Sequence, residues 1–181
     1  GGTVSTGTWS ASGGVLTKTS AGSGAIYKSA SGDDAAHYFS YRMDDTSSGS
    51  HVGLYGFRWS TAQYARVDIY RDKMLLVQKK DGVTTTLATD TGAASAQGTW
   101  YDVRIEADGA DIAVWRAERG VSVYERVLDT DACTVVSADK VLFTATDNAR
   151  FTFDDLRVWG TNLSNTTTFE CNEANELTKM H

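Results

Sequence analysis

Hydrophobic and polar residues alternate along most of this chain, while the periodicity of an amphipathic helix is almost absent. In "AHYFSYRM", Phe39, Tyr41 and Met43 fall on one side of an extended segment, and "TWYDVRIEAD" repeats the pattern. Roughly a dozen such segments are separated by Gly, Asp, Asn and Ser residues. Because antiparallel sheets with one solvated face produce this alternation, the pattern predicts an all-β protein, a two-sheet antiparallel β-sandwich or jelly roll.

The alternation ends near Trp159. The next segment, "GTNLSNTTT", is a polar linker, and the final "FECNEANELTKMH" resembles nothing upstream. We therefore predict a β-sandwich over residues 1–160 and a polar linker with a separate tail over residues 161–181. Cys133 and Cys171 lie on either side of this boundary, and their positions are compatible with a disulfide or with two separate thiols.

Composition narrows the classes of partner. The 181 residues are 41% hydrophobic, which is enough for one domain with a core. The 17 Lys and Arg residues against 23 Asp and Glu residues leave a net charge of −6, which argues against nucleic acid or an anionic membrane as partner. No apolar run approaches the about 18 residues of a transmembrane helix, no signal-peptide pattern is present, and the His residues lack zinc-site spacing.

The order of four segments resembles a known domain family. Their order resembles that in the laminin-G-like, concanavalin-A-like jelly rolls of bacterial exported proteins. The four segments are "GTWSASGGVLTKTS", "VGLYGFRWSTAQYARVDIYRDKMLLVQKKDGVTTTLA", "GTWYDVRIEADGADIAVWRA" and "ARFTFDDLRVW". The resemblance implies one concave and one convex sheet, and an extracellular or cell-surface location. Members of this family are commonly carbohydrate-binding or adhesion modules, and some relatives are glycosidases.

The tail carries a second resemblance. Its sequence "TFECNEANELTKM" is similar to a tyrosine-aspartate (YD, RHS-type) repeat: Phe169, Leu177 and Thr178 fit the repeat, whereas Cys171 and Glu176 depart from it. The resemblance implies that the native protein continues into a repeat region. Neighbouring domains of a larger chain are therefore expected partners.

Two adjacent aspartates interrupt the last predicted strand. Strict alternation puts Phe151, Phe153, Asp155 and Arg157 on one face and Asp154, Leu156 and Val158 on the other. The family resemblance implies that Asp154 binds a structural calcium ion, with a loop carboxylate from Asp33 or Asp34 as a further ligand. The alternative is that Asp155 pairs with Arg157 or another basic neighbour, while Asp154 accepts backbone N–H groups.

The segment "HVGLYGFRWSTAQYARVDIY" predicts a hairpin with a candidate glycan face. A three-residue connection would place Phe57 opposite Ala65 on the core side. The opposite face would then carry four residues suited to sugar recognition: Arg58, Tyr64, Arg66 and Asp68. An aromatic ring beside two guanidinium groups and a carboxylate suits a polysaccharide or glycan, especially an acidic one. A solvated face with Arg66 and Asp68 paired to neighbours is the alternative.

Trp115 and Tyr124 are second candidates for sugar contact, because both are out of phase with the apolar residues beside them. Catalytic signals are weak by comparison. Glu106, Asp108 and Asp111 are close in sequence, but Asp108-Gly109 is typical of a hairpin turn. No G-x-S-x-G, H-E-x-x-H or phosphate-loop motif occurs in the chain.

The sequence therefore predicts a non-catalytic carbohydrate-binding module of a larger exported protein, with a structural calcium ion. Two alternatives from other classes stay open. One is a structural or protein-interaction module attached to the repeat region, and the other is a glycosidase of the same fold.

Overall fold

A computed structural model describes residues 3–6, 9–12, 15–18, 24–29, 35–44, 53–60, 62–136, 140–145, 151–160 and 166–168. The described residues form these strands: β1 (Thr3–Thr6), β2 (Trp9–Ser12), β3 (Val15–Lys18), β4 (Gly24–Ser29), β5 (Ala35–Met43), β6 (Gly53–Trp59), β7 (Tyr64–Ile69), β8 (Met74–Lys80), β9 (Val83–Asp90), β10 (Trp100–Asp108), β11 (Asp111–Glu118), β12 (Glu125–Thr130), β13 (Lys140–Ala145), β14 (Phe151–Gly160) and β15 (Thr166–Thr168). None of the described segments is a helix long and apolar enough to cross a membrane.

The strands build two antiparallel sheets. Sheet I has the order β1-β4-β13-β6-β7-β8-β9, and sheet II has the order β12-β11-β10-β5-β14-β3-β2, with β15 added on β14. The predicted all-β, two-sheet antiparallel sandwich is confirmed. The predicted tail repeat and Cys171 lie outside the described residues, and Cys133 is a buried free thiol.

The core between the sheets is rich in aromatic rings. Phe39 of β5 lies 4.5 Å from Tyr55 of β6 between ring centroids, and Phe143 of β13 lies 4.5 Å from Phe153 of β14. Each pair joins one sheet to the other, because β5 and β14 belong to sheet II and β6 and β13 to sheet I. Such pairs stabilise a fold by about 0.5–1.5 kcal/mol beyond the area they bury, so this cluster fixes how the sheets pack.

A β-bulge in β6 changes the predicted hairpin. Gly56 pairs with Arg66 as expected, but Arg58 then pairs with Ala65 and Trp59 with Tyr64. The predicted three-residue connection, with Phe57 opposite Ala65, is therefore wrong. Four residues connect the strands, and the extra residue is absorbed by the bulge between Gly56 and Arg58. Every side chain between the bulge and the turn changes faces as a result.

A second bulge lies in β14 at Asp155, whose φ of 53° is in the left-handed region. Because of this bulge, the strict alternation of faces predicted for the strand is wrong after Asp154. Phe153 pairs with Tyr41 before it and Val158 pairs with His37 after it, so both face the core. Asp154 and Arg157 are left on the outer side, where carboxylates and cations can reach water or one another.

Gly53 is required where β6 packs beneath an aromatic ring. A Cβ atom at this position would overlap the ring of Phe151, which is itself fully buried. We expect Gly53→Ala to lower the free energy of unfolding by about 1–3 kcal/mol, because the packed ring has nowhere to move. Urea unfolding followed by tryptophan fluorescence measures this. Gly92→Ala, at an exposed site where the added Cβ meets only the Asp90 carboxylate, is the control. Equal effects of the two changes would contradict the expectation.

Candidate functional site

The adjacent aspartates of β14 are held by one arginine. Arg119 lies in the turn after β11, and its Nη1 and Nη2 atoms each donate to Asp154 Oδ2 at 3.1 Å. Its Nη2 also donates to Asp155 Oδ2 at 3.0 Å, and its Nε to Asp102 Oδ1 at 3.3 Å. Three carboxylates thus share one guanidinium. This arrangement, together with the bulge at Asp155, makes the acidic pair tolerable in a strand.

The surroundings of Asp154 do not fit the predicted calcium ion. One carboxylate oxygen faces the Arg119 guanidinium, and the other accepts the N–H group of Asp155 at 2.8 Å. Among the residues that the structure describes, no group of three or more His, Cys, Asp or Glu side chains is arranged to hold a metal. Asp33 and Asp34 lie outside the described residues. The alternative pairing is what the structure shows, including Asp155 with Arg157 at 3.6 Å.

Three of the six residues predicted to bind a ligand, Tyr64, Arg66 and Asp68, come together on the outer side of β7. We call this surface, with Trp59 of β6, the hairpin face. The rings of Trp59 and Tyr64 are stacked, with centroids 4.6 Å apart and planes within 5°. The Arg66 Cζ atom lies 4.7 Å from the Tyr64 ring centroid. An aromatic stack and a guanidinium group therefore form one continuous surface.

Arg58 does not belong to the hairpin face, and its prediction as a sugar-binding residue is wrong. The bulge in β6 turns its side chain into the interior, where it is 1% exposed. There its Nη1 atom donates to the carbonyl oxygens of Gly109 at 2.7 Å and of Val135 at 2.8 Å. The same bulge brings Trp59 to the outer side, although strict alternation from Phe57 would place it in the core.

Gly56 makes room for this tryptophan. A Cβ atom on Gly56 would lie 2.9 Å from Trp59 Cε3 and 3.3 Å from Leu142 Cβ. The space that Gly56 leaves on this face is therefore filled by the indole ring. Because the ring lies against the sheet, the Trp59–Tyr64 stack is held in place before any ligand arrives.

Asp68 is the unusual member of the hairpin face. It is 3% exposed although it points away from the core, between Leu54 of β6 and Leu75 of β8. Its Oδ1 atom lies 2.8 Å from Arg66 Nε, and its Oδ2 accepts Arg66 Nη2 at 3.0 Å. Burial raises the pKa of Asp68 to about 6, against the opposing effect of the Arg66 charge. The carboxylate thus orients Arg66 and largely neutralises it.

Trp115 and Tyr124 are separated from the hairpin face, because they lie with sheet II. Trp115 pairs with Arg104 on one side and with Arg126 on the other, and their Cζ atoms lie 5.7 and 5.8 Å from its ring centroid. Tyr124 is hydrogen-bonded to Tyr38, whose pKa rises to about 12 mainly through burial. These positions are consistent with the prediction that both aromatic residues lie outside the core. The surface on which they lie is that of sheet II and not the hairpin face.

No protein-family model matches the chain, and no curated protein does. Solved structures match its fold. The carbohydrate-binding module CBM66 from Bacillus subtilis superposes with a TM-score of 0.70 at 20% identity, covering 87% of this chain and 94% of that chain. The exoplasmic/lumenal domain of VIP36 in its Ca²⁺/Man3GlcNAc-bound form gives 0.64 at 9% identity, covering 88% and 84%. The fold is a concanavalin-A-like jelly roll.

A third similar structure is an enzyme family member. The GH43 protein BlXynB from Bacillus licheniformis superposes with a TM-score of 0.59 at 12% identity over 80% of this chain, but this chain spans only 32% of that protein. Within the described residues, the acidic cluster noted in the sequence is built around a hairpin turn. Asp108 pairs with Asp111 across a turn in which Gly109 has a φ of 53°, and Glu106 is ion-paired with Arg104. The predicted turn is confirmed.

Proposed function

We propose that this domain is a non-catalytic glycan-binding module and that the hairpin face contacts the sugar. The observation that carries the proposal is the Trp59–Tyr64 stack beside the Arg66–Asp68 ion pair. Aromatic rings contact the apolar faces of sugar rings, and a guanidinium group oriented by a buried carboxylate offers N–H donors to hydroxyl groups. Both features lie on the outer surface of a rigid sheet, so little ordering is needed on binding.

The charge balance of the hairpin face decides which sugars suit it. Arg66 is engaged by the buried Asp68 carboxylate at two points. Because Arg58 is absent from this surface, none of the described residues places a second guanidinium there to support an acidic group. Neutral hydroxyl-rich glycans therefore fit the hairpin face better than acidic ones. The names of two similar structures, a carbohydrate-binding module and a Man3GlcNAc-bound lumenal domain, support the assignment to glycans in general.

A glycan array, read with calcium and again with a chelator, tests the proposal. We expect binding to a defined set of neutral glycans. Loss of that binding on chelation would support a bound calcium ion at a place other than Asp154, and unchanged binding would contradict the predicted calcium ion. An array without any bound glycan would contradict the proposal and favour the structural or protein-interaction alternative. Sugar release from a bound glycan would favour the glycosidase alternative.

Tyr64→Ala should weaken glycan binding on the order of tenfold or more, because it removes both the ring and the surface on which Arg66 lies. Isothermal titration with the best array ligand measures the effect. Trp115→Ala is the matched control, because it removes an aromatic residue from the surface of sheet II. If Trp115→Ala abolishes binding and Tyr64→Ala does not, the hairpin face is the wrong site.

Arg66 needs a paired substitution to be tested. A single Arg66→Ala change would leave the buried Asp68 carboxylate without its partner and would destabilise the fold. The double variant Arg66→Gln/Asp68→Asn keeps two hydrogen-bonding side chains of similar size without charge. We expect it to fold and to bind the array ligand on the order of tenfold more weakly. Full retention of affinity would exclude the ion pair from sugar recognition.

A further inference from the structure

Arg116 is a cation placed in the interior of the sandwich. It follows Ile112 and Val114 at alternate positions of β11 and pairs with Val103 of β10, so its side chain faces the space between the sheets. It is 7% exposed. A buried guanidinium group at such a position is costly unless its charge is compensated.

Aromatic rings and one backbone carbonyl hold the Arg116 side chain. Its Cζ atom lies 3.8 Å from the Tyr101 ring centroid and 6.0 Å from that of Tyr41. Its Nη2 atom donates to the carbonyl oxygen of Ala94 at 2.6 Å, whereas its buried Nε–H group has no partner. Tyr41 is itself hydrogen-bonded to Ser95 at 2.8 Å. The guanidinium is therefore fixed in direction but incompletely satisfied.

Arg116 forms no ion pair in the part of the chain that the structure describes, although Glu125 is its register partner on β12. Arg66 and Arg119, the arginines of the two sites described above, differ in this respect. Arg66 is paired with Asp68, and Arg119 is paired with three carboxylates. No corresponding ion pair is formed by Arg116 with a described residue. A buried guanidinium group that no carboxylate contacts directly can still accept an anion from outside the protein.

Arg116 lines a pocket of about 370 Å³ at one end of the sandwich. This volume is in the range of small-ligand sites. Ala94 and Val127 contribute apolar wall, and Val121 and Val123 are exposed apolar residues that also line it. Three further lining residues carry carboxylates: Asp90 is half-buried, and Glu118 and Glu125 are exposed. The pocket thus combines one buried cation, an apolar wall and acceptors for hydroxyl groups.

We propose that this pocket binds the carboxylate-bearing end of an acidic glycan, a terminal uronic acid. The sugar carboxylate lies against the Arg116 guanidinium, its hydroxyl groups donate to Glu118 and Glu125, and its apolar face contacts Val121 and Val123. The choice of a sugar rests on the proposed glycan-binding function, but the site is separate from the hairpin face. The domain would then hold a neutral part of a glycan on sheet I and an acidic end in this pocket.

Nuclear magnetic resonance of the ¹⁵N-labelled domain, titrated with glucuronate, glucose or acetate, tests this site. We expect glucuronate to shift the Arg116 Nε–H signal and the backbone amides of Ala94, Val121 and Val123 in a saturable way. Glucose should leave these signals unchanged, and acetate should bind at least about tenfold more weakly because it lacks the hydroxyl groups. No shift with glucuronate, or an equal response to glucose, would overturn the proposal. An equal affinity for acetate would reduce the pocket to a simple anion site and would also overturn it.

Two variants separate this site from the hairpin face. Arg116→Lys keeps the charge but loses the planar pair of donors, so glucuronate affinity should fall at least about tenfold. Tyr64→Ala should leave the glucuronate titration unchanged. If the array shows no bound glycan while glucuronate shifts the pocket signals, the hairpin-face function is wrong. If the array shows bound glycans while glucuronate leaves the pocket signals unchanged, this inference is wrong. The titration of the unaltered protein decides the matter even if Arg116→Lys does not fold.

Discussion

Acidification from pH 7 to pH 4 is expected to lower the free energy of unfolding by about 3 kcal/mol through His37 alone. His37 is 3% exposed, and its Nδ1 atom lies 2.8 Å from the Tyr55 hydroxyl oxygen. Burial, assisted by the nearby positive charge of Arg58, lowers the pKa of His37 from 6.5 to about 3. The unfolded chain therefore takes up a proton at this residue well before the folded protein does.

The direction of the effect follows from this difference. Between pH 6.5 and pH 3 the unfolded state binds more protons at His37, so stability falls as the pH falls. Asp68 acts in the opposite direction, because its raised pKa of about 6 lets the folded state take up a proton first. The two contributions overlap, and the wild-type protein alone does not separate them.

Urea unfolding of the wild type and of His37→Gln at several pH values isolates the histidine. Glutamine keeps a hydrogen-bonding partner for Tyr55 but does not titrate. We expect the stability difference between the two proteins to change by about 3 kcal/mol across this range, in favour of the variant at low pH. The contribution of Asp68 cancels in the difference. Parallel stability curves for the two proteins would contradict the expectation.

Arg58→Met should lower the free energy of unfolding by about 3–5 kcal/mol, although arginine is usually a surface residue. The side chain is almost fully buried and donates to two backbone carbonyl oxygens, those of Gly109 and Val135. These carbonyls belong to the β10–β11 turn and to the segment after β12. Methionine fills much of the volume but donates to neither. The buried Val135 carbonyl then keeps only the weak Cys133 thiol donor, and the half-buried Gly109 carbonyl loses the guanidinium.

Arg104→Met is the matched control for this change. The side chain of Arg104 is 53% exposed, and its ion pair with Glu106 lies on the surface. Exposed pairs contribute about 0–1 kcal/mol, so the control should stay close to the wild type. Thermal and urea unfolding of both variants measure the contrast. A loss for Arg58→Met no larger than that for Arg104→Met would show that the buried hydrogen bonds contribute little.

The local pattern of the sequence determined the fold class and much of the core. Alternating apolar residues in β5, β10 and β11 face the interior, because a strand directs neighbouring side chains to opposite sides wherever its pairing is regular. The same rule placed Tyr64, Arg66 and Asp68 together, since all three lie in β7, which pairs regularly with β8. The turn at Asp108-Gly109 was also readable from two residues.

Only the tertiary structure decided the details on which the sites depend. The bulge in β6 lies where that strand pairs with both β7 and β13, and the bulge in β14 lies where it pairs with β5. Each bulge exchanges the faces that strict alternation assigns. They send Arg58 inward, bring Trp59 to Tyr64, and leave Asp154 and Asp155 facing Arg119, which lies 35 and 36 residues earlier. The pocket at Arg116 likewise combines β10, β11 and the segment after β9. Such long-range partners leave no periodic signal in the chain, because packing between sheets selects them.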